Sequence, residues 1–289
     1  MSAEGFTAAL VQTRTGRNVA ANVAEVSRLV REAAGAGAHY VQTPEMTSLL
    51  VRSREELFAA IGNEEQDEAL KAFRALAAEL KIWLHIGSMA VRFGDMRERV
   101  ANRAFLISPE GEITARYDKI HMFDVDLDQG ESWRESRTYQ PGEVAVVANL
   151  PWMRLGLSIC YDLRFPALYR ALAEAGAGML AIPAAFTKQT GEAHWHVLIR
   201  ARAIETGSFV LAAAQAGTHE DGRETFGHSL IVDPWGRVLA EGGTEPGIVT
   251  ARIDPGLSTE ARARIPALQN GRRFSISSPQ PVHLHEVRS

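Results

Sequence analysis

Short apolar runs alternate with segments of helical periodicity along most of this chain, and this alternation is what most constrains its fold. Residues 7–13 and 40–46 are predicted to be strands, and between them 18–36 repeats valine and leucine at steps of three and four. The same alternation returns over 155–214, and a further strand is predicted over 227–233. Residues 102–119 are predicted to be a hairpin around a Pro-Glu-Gly turn, and 52–66 are predicted to be a loop with a short helix. Such helices pack on the outside of a largely buried sheet system. The sequence therefore predicts an α/β fold.

Nothing in the chain suggests a division into domains. Its 289 residues contain no repeat and no linker-like run of Pro, Gly and Ser, so we predict a single domain over 1–289. Residues 266–289 lack regular periodicity and are predicted to form a C-terminal tail. The 22 residues of 121–142 are polar and irregular, and long loops in compact domains are often functional.

Composition narrows the class of protein. The single cysteine permits no disulfide within the chain, and no signal peptide is recognisable at the N-terminus. No apolar run approaches the roughly 20 residues of a membrane span. The net charge of −4 argues against a general nucleic-acid binder. We expect a cytoplasmic protein that acts on a small molecule, without nucleic-acid or membrane partners.

The only cysteine, Cys160, ends an apolar strand-like run, and a helical segment begins within a few residues of it. The positive end of a helix dipole favours thiolate over thiol, so this is a suitable place for a nucleophile. A lone cysteine after an apolar run is also a common small core residue. The stretch by itself leaves both interpretations open.

Two charged residues occupy comparable positions at predicted strand ends. Glu45 follows Pro44 after one strand, and Lys119 follows the second strand of the hairpin. Strand ends at one edge of a sheet converge, so both side chains can meet Cys160. A thiol nucleophile needs a group that accepts its proton and a positive charge beside the developing oxyanion. The three residue types together suit acyl transfer from an amide, although each alone is commonly a surface charge or a core residue.

The local sequences around these residues resemble the nitrilase superfamily of carbon–nitrogen hydrolases. The segments that carry the resemblance are Thr43–Glu45, Tyr117–Asp124, Gly156–Pro166, Gly191–Trp195, Arg200–Thr206, Gly227–Ser229 and Asp233–Gly236. The resemblance covers roughly the first 255 residues. It implies a four-layer α-β-β-α sandwich that dimerises through helices into an eight-layer assembly, and an amidase that needs no metal or cofactor.

The resemblance also implies roles for individual residues. Glu45 is the expected general base and acid, Cys160 the nucleophile that forms a thioester, and Lys119 the group that holds the oxyanion, with the backbone N–H of Tyr161. A second glutamate near the site is implied, and we assign it to Glu135. Glu131 is the alternative within the same loop.

Narrower similarities concern the substrate. Cys160-Tyr161-Asp162 is closer to the amidase branches than to true nitrilases, and the chain is similar to the deaminated-glutathione amidases and ω-amidases. Both act on a 2-oxoglutaryl group, and Arg164 is the candidate partner of its carboxylate, with a structural salt bridge as the other interpretation. The other expected substrate-binding residues are Tyr161, Phe186, Thr187 and His194. The leading expectation from this resemblance is hydrolysis of deaminated glutathione to 2-oxoglutarate and cysteinylglycine. The alternatives are an ω-amidase acting on 2-oxoglutaramate, an N-carbamoyl amino acid amidohydrolase and a catalytically silent binding protein.

Overall fold

The computed structural model of the protein describes residues 4–92, 99–127 and 132–277. Glu131 and the last part of the predicted tail, 278–289, lie outside these residues. The strands are β1 (Phe6–Gln12), β2 (Tyr40–Gln42), β3 (Trp83–Arg92), β4 (Val100–Ile107), β5 (Ile113–Asp118), β6 (Asp124–Asp126), β7 (Ser132–Arg134), β8 (Val147–Asn149), β9 (Arg154–Leu157), β10 (Met179–Ala181), β11 (Phe209–Ala212), β12 (Ala216–Thr218), β13 (Glu224–Phe226), β14 (Leu230–Val232), β15 (Val238–Glu241) and β16 (Gly247–Ile253). The helices are α1 (Val19–Gly35), α2 (Arg54–Ala60), α3 (Glu68–Leu80), α4 (Pro166–Glu174), α5 (Lys188–Thr206) and α6 (Gly256–Arg264).

Two six-stranded sheets are built on the same plan. The first has the order β16-β1-β2-β3-β4-β5, and the second has the order β15-β14-β11-β10-β9-β8. Each has three parallel strands at its centre, β1-β2-β3 in one and β9-β10-β11 in the other, with antiparallel strands on both sides. Parallel neighbours need a crossover, and helices α1, α3, α4 and α5 lie in these crossovers.

The layers follow from side-chain alternation along the strands. In β1, Ala8 and Leu10 belong to the cluster shared with the second sheet, whereas Ala9 and Val11 pack with α1 and α3. Helices α4 and α5 pack on the second sheet. The order of layers is therefore α-β-β-α, which confirms the predicted four-layer fold. No helix among the described residues is long and apolar enough to cross a membrane.

Helix ends follow local sequence. Asn18 Oδ1 accepts the N–H of Ala21 at 3.0 Å before α1, and Asp67 Oδ1 accepts the N–H of Leu70 at 2.9 Å before α3. Helix α5 ends at Thr206, and the next residue, Gly207, has a left-handed φ of 59°. Glycine adopts this conformation without strain.

The structure differs from the predicted elements in three places. The segment 121–142 is not wholly irregular, because β6 and β7 form a small hairpin within it. The strand predicted over 227–233 shortens to β14, and an unpredicted hairpin, β12–β13, precedes it. Gly227 and His228 have positive φ values of 73° and 54°, which break an extended strand there. After Cys160 comes a short 3₁₀ helix, Cys160–Arg164, before α4 begins.

Candidate active site

Glu45, Lys119 and Cys160 lie at the carboxyl ends of strands from both sheets. Glu45 follows β2, Lys119 directly follows β5, and Cys160 follows β9. With Glu135 they line one cavity of about 520 Å³. The three side chains do meet at strand ends, but at the ends of strands from two sheets rather than at one edge of a single sheet as expected.

The ammonium of Lys119 lies between two carboxylates. Its Nζ donates to Glu45 Oε1 at 3.0 Å and to Glu135 Oε1 and Oε2 at 3.1 and 2.9 Å. Asn102 Nδ2 donates to the same two residues, at 2.9 Å to Glu45 and 3.2 Å to Glu135. These four side chains form one hydrogen-bonded cluster, called here the carboxylate–lysine cluster. Lys119 is nearly fully buried, so its charge depends on these partners.

Backbone groups fix the orientation of both carboxylates. The N–H of Ala185 donates to Glu45 Oε2 at 2.8 Å, and the N–H of Phe123 donates to Glu135 Oε2 at 2.7 Å. The amide of Gln215 donates to the carbonyl oxygen of Glu45 at 2.9 Å. Glu45 is therefore held by groups that follow strands of both sheets.

Cys160 occupies a strained turn. Its φ of 48° lies in the left-handed region, and its N–H donates to the carbonyl oxygen of Pro183 at 2.9 Å. Asp162 stabilises the turn because its Oδ2 accepts the N–H of Ile159 at 2.8 Å and the hydroxyl of Tyr117 at 2.7 Å. The thiol is thereby placed at the cavity wall by the chain geometry around it.

The electrostatics define the resting protonation of the site. Burial would raise the pKa of Glu45, but the charge and hydrogen bond of Lys119 lower it below its ordinary value of 4.5. Burial would lower the pKa of Lys119, but the charges of Glu135 and Glu45 raise it well above its ordinary value. Burial and the charge of Glu45 raise the pKa of the Cys160 thiol well above its ordinary value. These shifts favour a neutral thiol on Cys160 beside an ionised Glu45, against the preference for a thiolate that a helix N-terminus alone would give.

The predicted substrate-binding residues divide into two groups. Tyr161, Phe186 and Thr187 line the cavity. Arg164 and His194 are not among its lining residues. Arg164 Nη1 lies 3.3 Å from His194 Nδ1, and its guanidinium lies 5.9 Å and 5.2 Å from the ring centres of Tyr161 and Phe186. Binding by all five residues stays a prediction.

Sequence reasoning did not single out several residues of the site. Asn102 falls only within the predicted hairpin 102–119, and no role is predicted for Gln215. Arg52, Trp133 and Arg223 also line the cavity, from a segment predicted as loop and from the two hairpins that were not predicted. A signal for Asn102 existed in its position opposite Lys119 in the predicted hairpin, where the N–H of Lys119 donates to the carbonyl oxygen of Asn102.

Within the described residues, one group of side chains has the composition of a metal site. Ligand atoms of His196, His228 and Glu241 lie within 4.8 Å of one another. Glu241 Oε1 is 2.9 Å from a ring nitrogen of each histidine, so hydrogen bonds account for the arrangement. None of the three lines the cavity.

A buried thiol, a carboxylate and an ammonium in one cavity can perform acyl transfer at an amide carbon. The model of the carbon-nitrogen hydrolase family matches residues 7–263, and this chain belongs to that family. A deaminated glutathione amidase from Yersinia enterocolitica is 40% identical over 275 residues, which are 94% of this chain and 95% of that protein. The expectations of a nitrilase-superfamily member and of an amidase are thus confirmed.

Two solved structures extend the comparison. The NitFhit protein of C. elegans aligns with a TM-score of 0.87 and 31% identity, over 94% of this chain and 66% of that one. This chain therefore spans slightly less than two thirds of the nematode protein. A mutant amidase from Nesterenkonia sp. AN1 aligns with a TM-score of 0.78 and 26% identity, over 92% of this chain and 94% of that one. In that amidase, the acetamide moiety of fluoroacetamide is covalently added at the active-site cysteine.

Proposed function

We propose that this protein hydrolyses deaminated glutathione to 2-oxoglutarate and cysteinylglycine through a thioester on Cys160. The observation that carries the proposal is the placement of the carboxylate–lysine cluster and the only cysteine in one cavity. The 40% identity to a deaminated glutathione amidase along nearly the whole chain supports the choice of substrate.

In the first half of the reaction, Glu45 accepts the thiol proton as Cys160 Sγ attacks the amide carbon. The ionised state of Glu45 and the neutral state of the thiol, both set by their pKa shifts, suit this proton transfer. Lys119 and the backbone N–H of Tyr161 stabilise the oxyanion. Glu45 then gives the proton to the departing nitrogen, the C–N bond breaks, and the acyl group remains on Sγ as a thioester.

In the second half, Glu45 accepts a proton from water, and the hydroxyl attacks the thioester carbon. The C–S bond breaks, 2-oxoglutarate is released, and the proton returns from Glu45 to Cys160 Sγ. Glu135 acts as a positioning residue, because both of its carboxylate oxygens accept from Lys119. In the resting site, the charges of Glu135 and Glu45 raise the pKa of Lys119 and favour its charged form. We propose these roles without a metal or cofactor.

The assembly and location are further parts of the proposal. Helix α5 and the segment after β14 expose apolar side chains, with Val197 69% and Ile204 54% accessible and Trp235 and Leu239 also exposed. Exposed apolar patches of this kind mark protein–protein interfaces, so this surface supports a homodimer formed through α5. A reducing cytoplasm would keep the catalytic cysteine as a thiol. Light scattering tests the dimer, and a fully active monomer at micromolar concentration would contradict it.

The substrate is tested by comparing deaminated glutathione with 2-oxoglutaramate, which has the same acyl group and ammonia as leaving group. We expect cysteinylglycine release with a higher kcat/KM than ammonia release. A preference for 2-oxoglutaramate would instead identify an ω-amidase. Hydrolysis of neither compound would reject the substrate class and direct the search to N-carbamoyl amino acids.

A further inference from the structure

Two arginines lie against one tryptophan at the cavity wall. The guanidinium carbon of Arg223 is 4.6 Å from the ring centre of Trp133, and that of Arg52 is 5.1 Å from it. All three residues line the cavity that contains Cys160. They are called here the arginine wall. Stacking on an indole orients a guanidinium while leaving its N–H groups directed around the ring edge for other partners.

The charge of Arg223 is incompletely matched. Its side chain is only 15% exposed, and the nearest carboxylate oxygen, Asp221 Oδ2, is 3.5 Å from Nη2. Neither that oxygen nor Arg223 Nε has a hydrogen-bond partner in the described part of the chain. A buried guanidinium without full hydrogen bonding is costly, and burial lowers the pKa of Arg223. An anionic ligand would supply the missing acceptors.

The other positive charges at the cavity differ from Arg223 and Arg52. Lys119 is bonded to two carboxylates, and Arg134 Nη2 donates to both oxygens of Asp126 at 2.7 and 2.8 Å. Arg52 is exposed, and within residues 4–92, 99–127 and 132–277 it has no carboxylate partner. The arginine wall is therefore where positive charge at the cavity is least completely matched, because the contact with Asp221 leaves Arg223 Nε without an acceptor and Arg52 has no carboxylate partner among the described residues.

We propose that the arginine wall binds the carboxylate at the far end of the leaving group, with Arg223 as its main partner and Arg52 at the cavity rim. This inference rests on the proposed function. Deaminated glutathione has two carboxylates, one on the oxoacyl part and one on its glycine. Arg164 lies against Tyr161 and Phe186, whereas Arg223 and Arg52 lie against Trp133, so the two sets of arginines are held by different lining residues. Arg164, the expected partner of the oxoacyl carboxylate, contacts the lining residues Tyr161 and Phe186 without itself lining the cavity, and we assign the arginine wall to the glycine carboxylate.

The proposal gives the enzyme a way to prefer a dipeptide leaving group over ammonia. A guanidinium fork fits a carboxylate with two parallel hydrogen bonds, and such bonds are roughly twice as strong as neutral ones. The interaction is remote from the bond that breaks, so it contributes equally to substrate and transition-state binding. Such uniform binding lowers KM without changing kcat.

The test compares three compounds with wild type, R223Q, R52Q and R31Q. The compounds are deaminated glutathione, its C-terminal amide and 2-oxoglutaramate. R31Q removes the same charge from the exposed surface of α1, where Arg31 pairs with Glu79, and serves as the matched control. For R223Q we expect KM for deaminated glutathione to rise about 10- to 100-fold with kcat little changed. KM for the other two compounds should change less than about twofold, because neither has the glycine carboxylate.

The exposed Arg52 tests the proposal independently of folding. R52Q is expected to raise KM for deaminated glutathione by about two- to fivefold and to leave 2-oxoglutaramate unaffected. Wild type should have a lower KM for deaminated glutathione than for its C-terminal amide, and R223Q should have similar KM values for the two compounds. Equal losses on deaminated glutathione and 2-oxoglutaramate would overturn the proposal and assign the arginine wall to the oxoacyl carboxylate. If wild type hydrolyses deaminated glutathione normally, and the ratio of KM for its C-terminal amide to KM for the acid is the same in R223Q and R52Q as in wild type, the inference alone is overturned. Failure of wild type to hydrolyse deaminated glutathione would overturn the proposed function and this inference together.

Discussion

The carboxylate–lysine cluster and the arginine wall line the same cavity, but their charges are arranged in opposite ways. In the cluster, every charged group already has a partner, and Lys119 alone makes three hydrogen bonds to carboxylates. In the arginine wall, Arg223 has one ion contact at 3.5 Å and an unsatisfied Nε. A site that performs chemistry benefits from a fixed arrangement before substrate arrives, whereas a site that recognises an anion benefits from unfilled hydrogen-bonding capacity. The comparison predicts that changes in the cluster reduce kcat and that changes in the wall raise KM.

The largest expected effect comes from C160A. Loss of the nucleophile should lower kcat by a factor on the order of 10⁶, as in other enzymes whose nucleophile acts in a triad. Cys160 is 7% exposed and alanine is smaller, so the protein should stay folded. Product release measures kcat, and circular dichroism measures whether the variant is folded. Retained turnover in a folded C160A protein would remove Cys160 from the mechanism.

E45Q tests the proton-transfer role of the cluster. We expect kcat to fall by about 10²- to 10⁴-fold, because the amide cannot accept the thiol proton. The same change removes a negative charge that raises the pKa of Cys160, so the thiol should ionise at lower pH. Ultraviolet absorbance of the thiolate during a pH titration measures this shift. An unchanged or raised thiol pKa would show that Glu45 does not act on Cys160 in this way.

The pH dependence of stability should follow the lowered pKa of Glu45. A carboxyl group whose folded pKa lies below its unfolded value stabilises the protein above pH about 4.5, and this contribution is lost as pH falls through the folded value. Urea unfolding of wild type and E45Q across that range measures it. The difference in unfolding free energy between wild type and E45Q should shrink as pH falls below 4.5. A difference that grows would contradict the lowered pKa of Glu45.

N102A removes the neutral member of the cluster. Asn102 donates to both Glu45 and Glu135, so its loss should let the two carboxylates move relative to Lys119. We expect kcat to fall roughly 10- to 100-fold, as for the loss of hydrogen bonds to charged groups, with KM nearly unchanged. A purely structural role would instead lower the unfolding free energy and leave kcat of the folded enzyme intact. Steady-state kinetics with urea unfolding separates the two.

W133L is expected to have the smallest effect, and to change KM rather than kcat. Without the indole, Arg223 and Arg52 lose contacts of about 0.5–1 kcal/mol each, so KM for deaminated glutathione should rise about two- to fivefold. The conservative change W133F keeps an aromatic ring and should recover part of the loss. A fall in kcat at unchanged KM would assign Trp133 to the carboxylate–lysine cluster, and it would contradict the division of roles between the two regions.

Sequence reasoning reached further into the cluster than into the arginine wall. Glu45, Lys119 and Cys160 each follow a strand, so a common location at strand ends could be predicted, although the three strands belong to two sheets rather than to one. Glu135 came only from resemblance, and the competing Glu131 lies outside the described residues. Arg223 could not be predicted to line the cavity, because the β12–β13 hairpin that carries it was itself not predicted. Short hairpins with mixed polarity leave little periodic signal.

What the sequence determined by itself was the alternation of strands and helices, because it depends on local periodicity. The four-layer class of fold and the reactive groups were implied by the resemblance that the motifs around strand ends carry. Only the tertiary structure decided which distant polar side chains enter the cavity, as Asn102, Gln215 and Arg223 do. It also set the direction of the Cys160 pKa shift, since the helix that follows this residue favours a thiolate while burial and the charge of Glu45 favour the neutral thiol. Burial and the distances between charges arise from packing two sheets against each other, and no local segment contains that information.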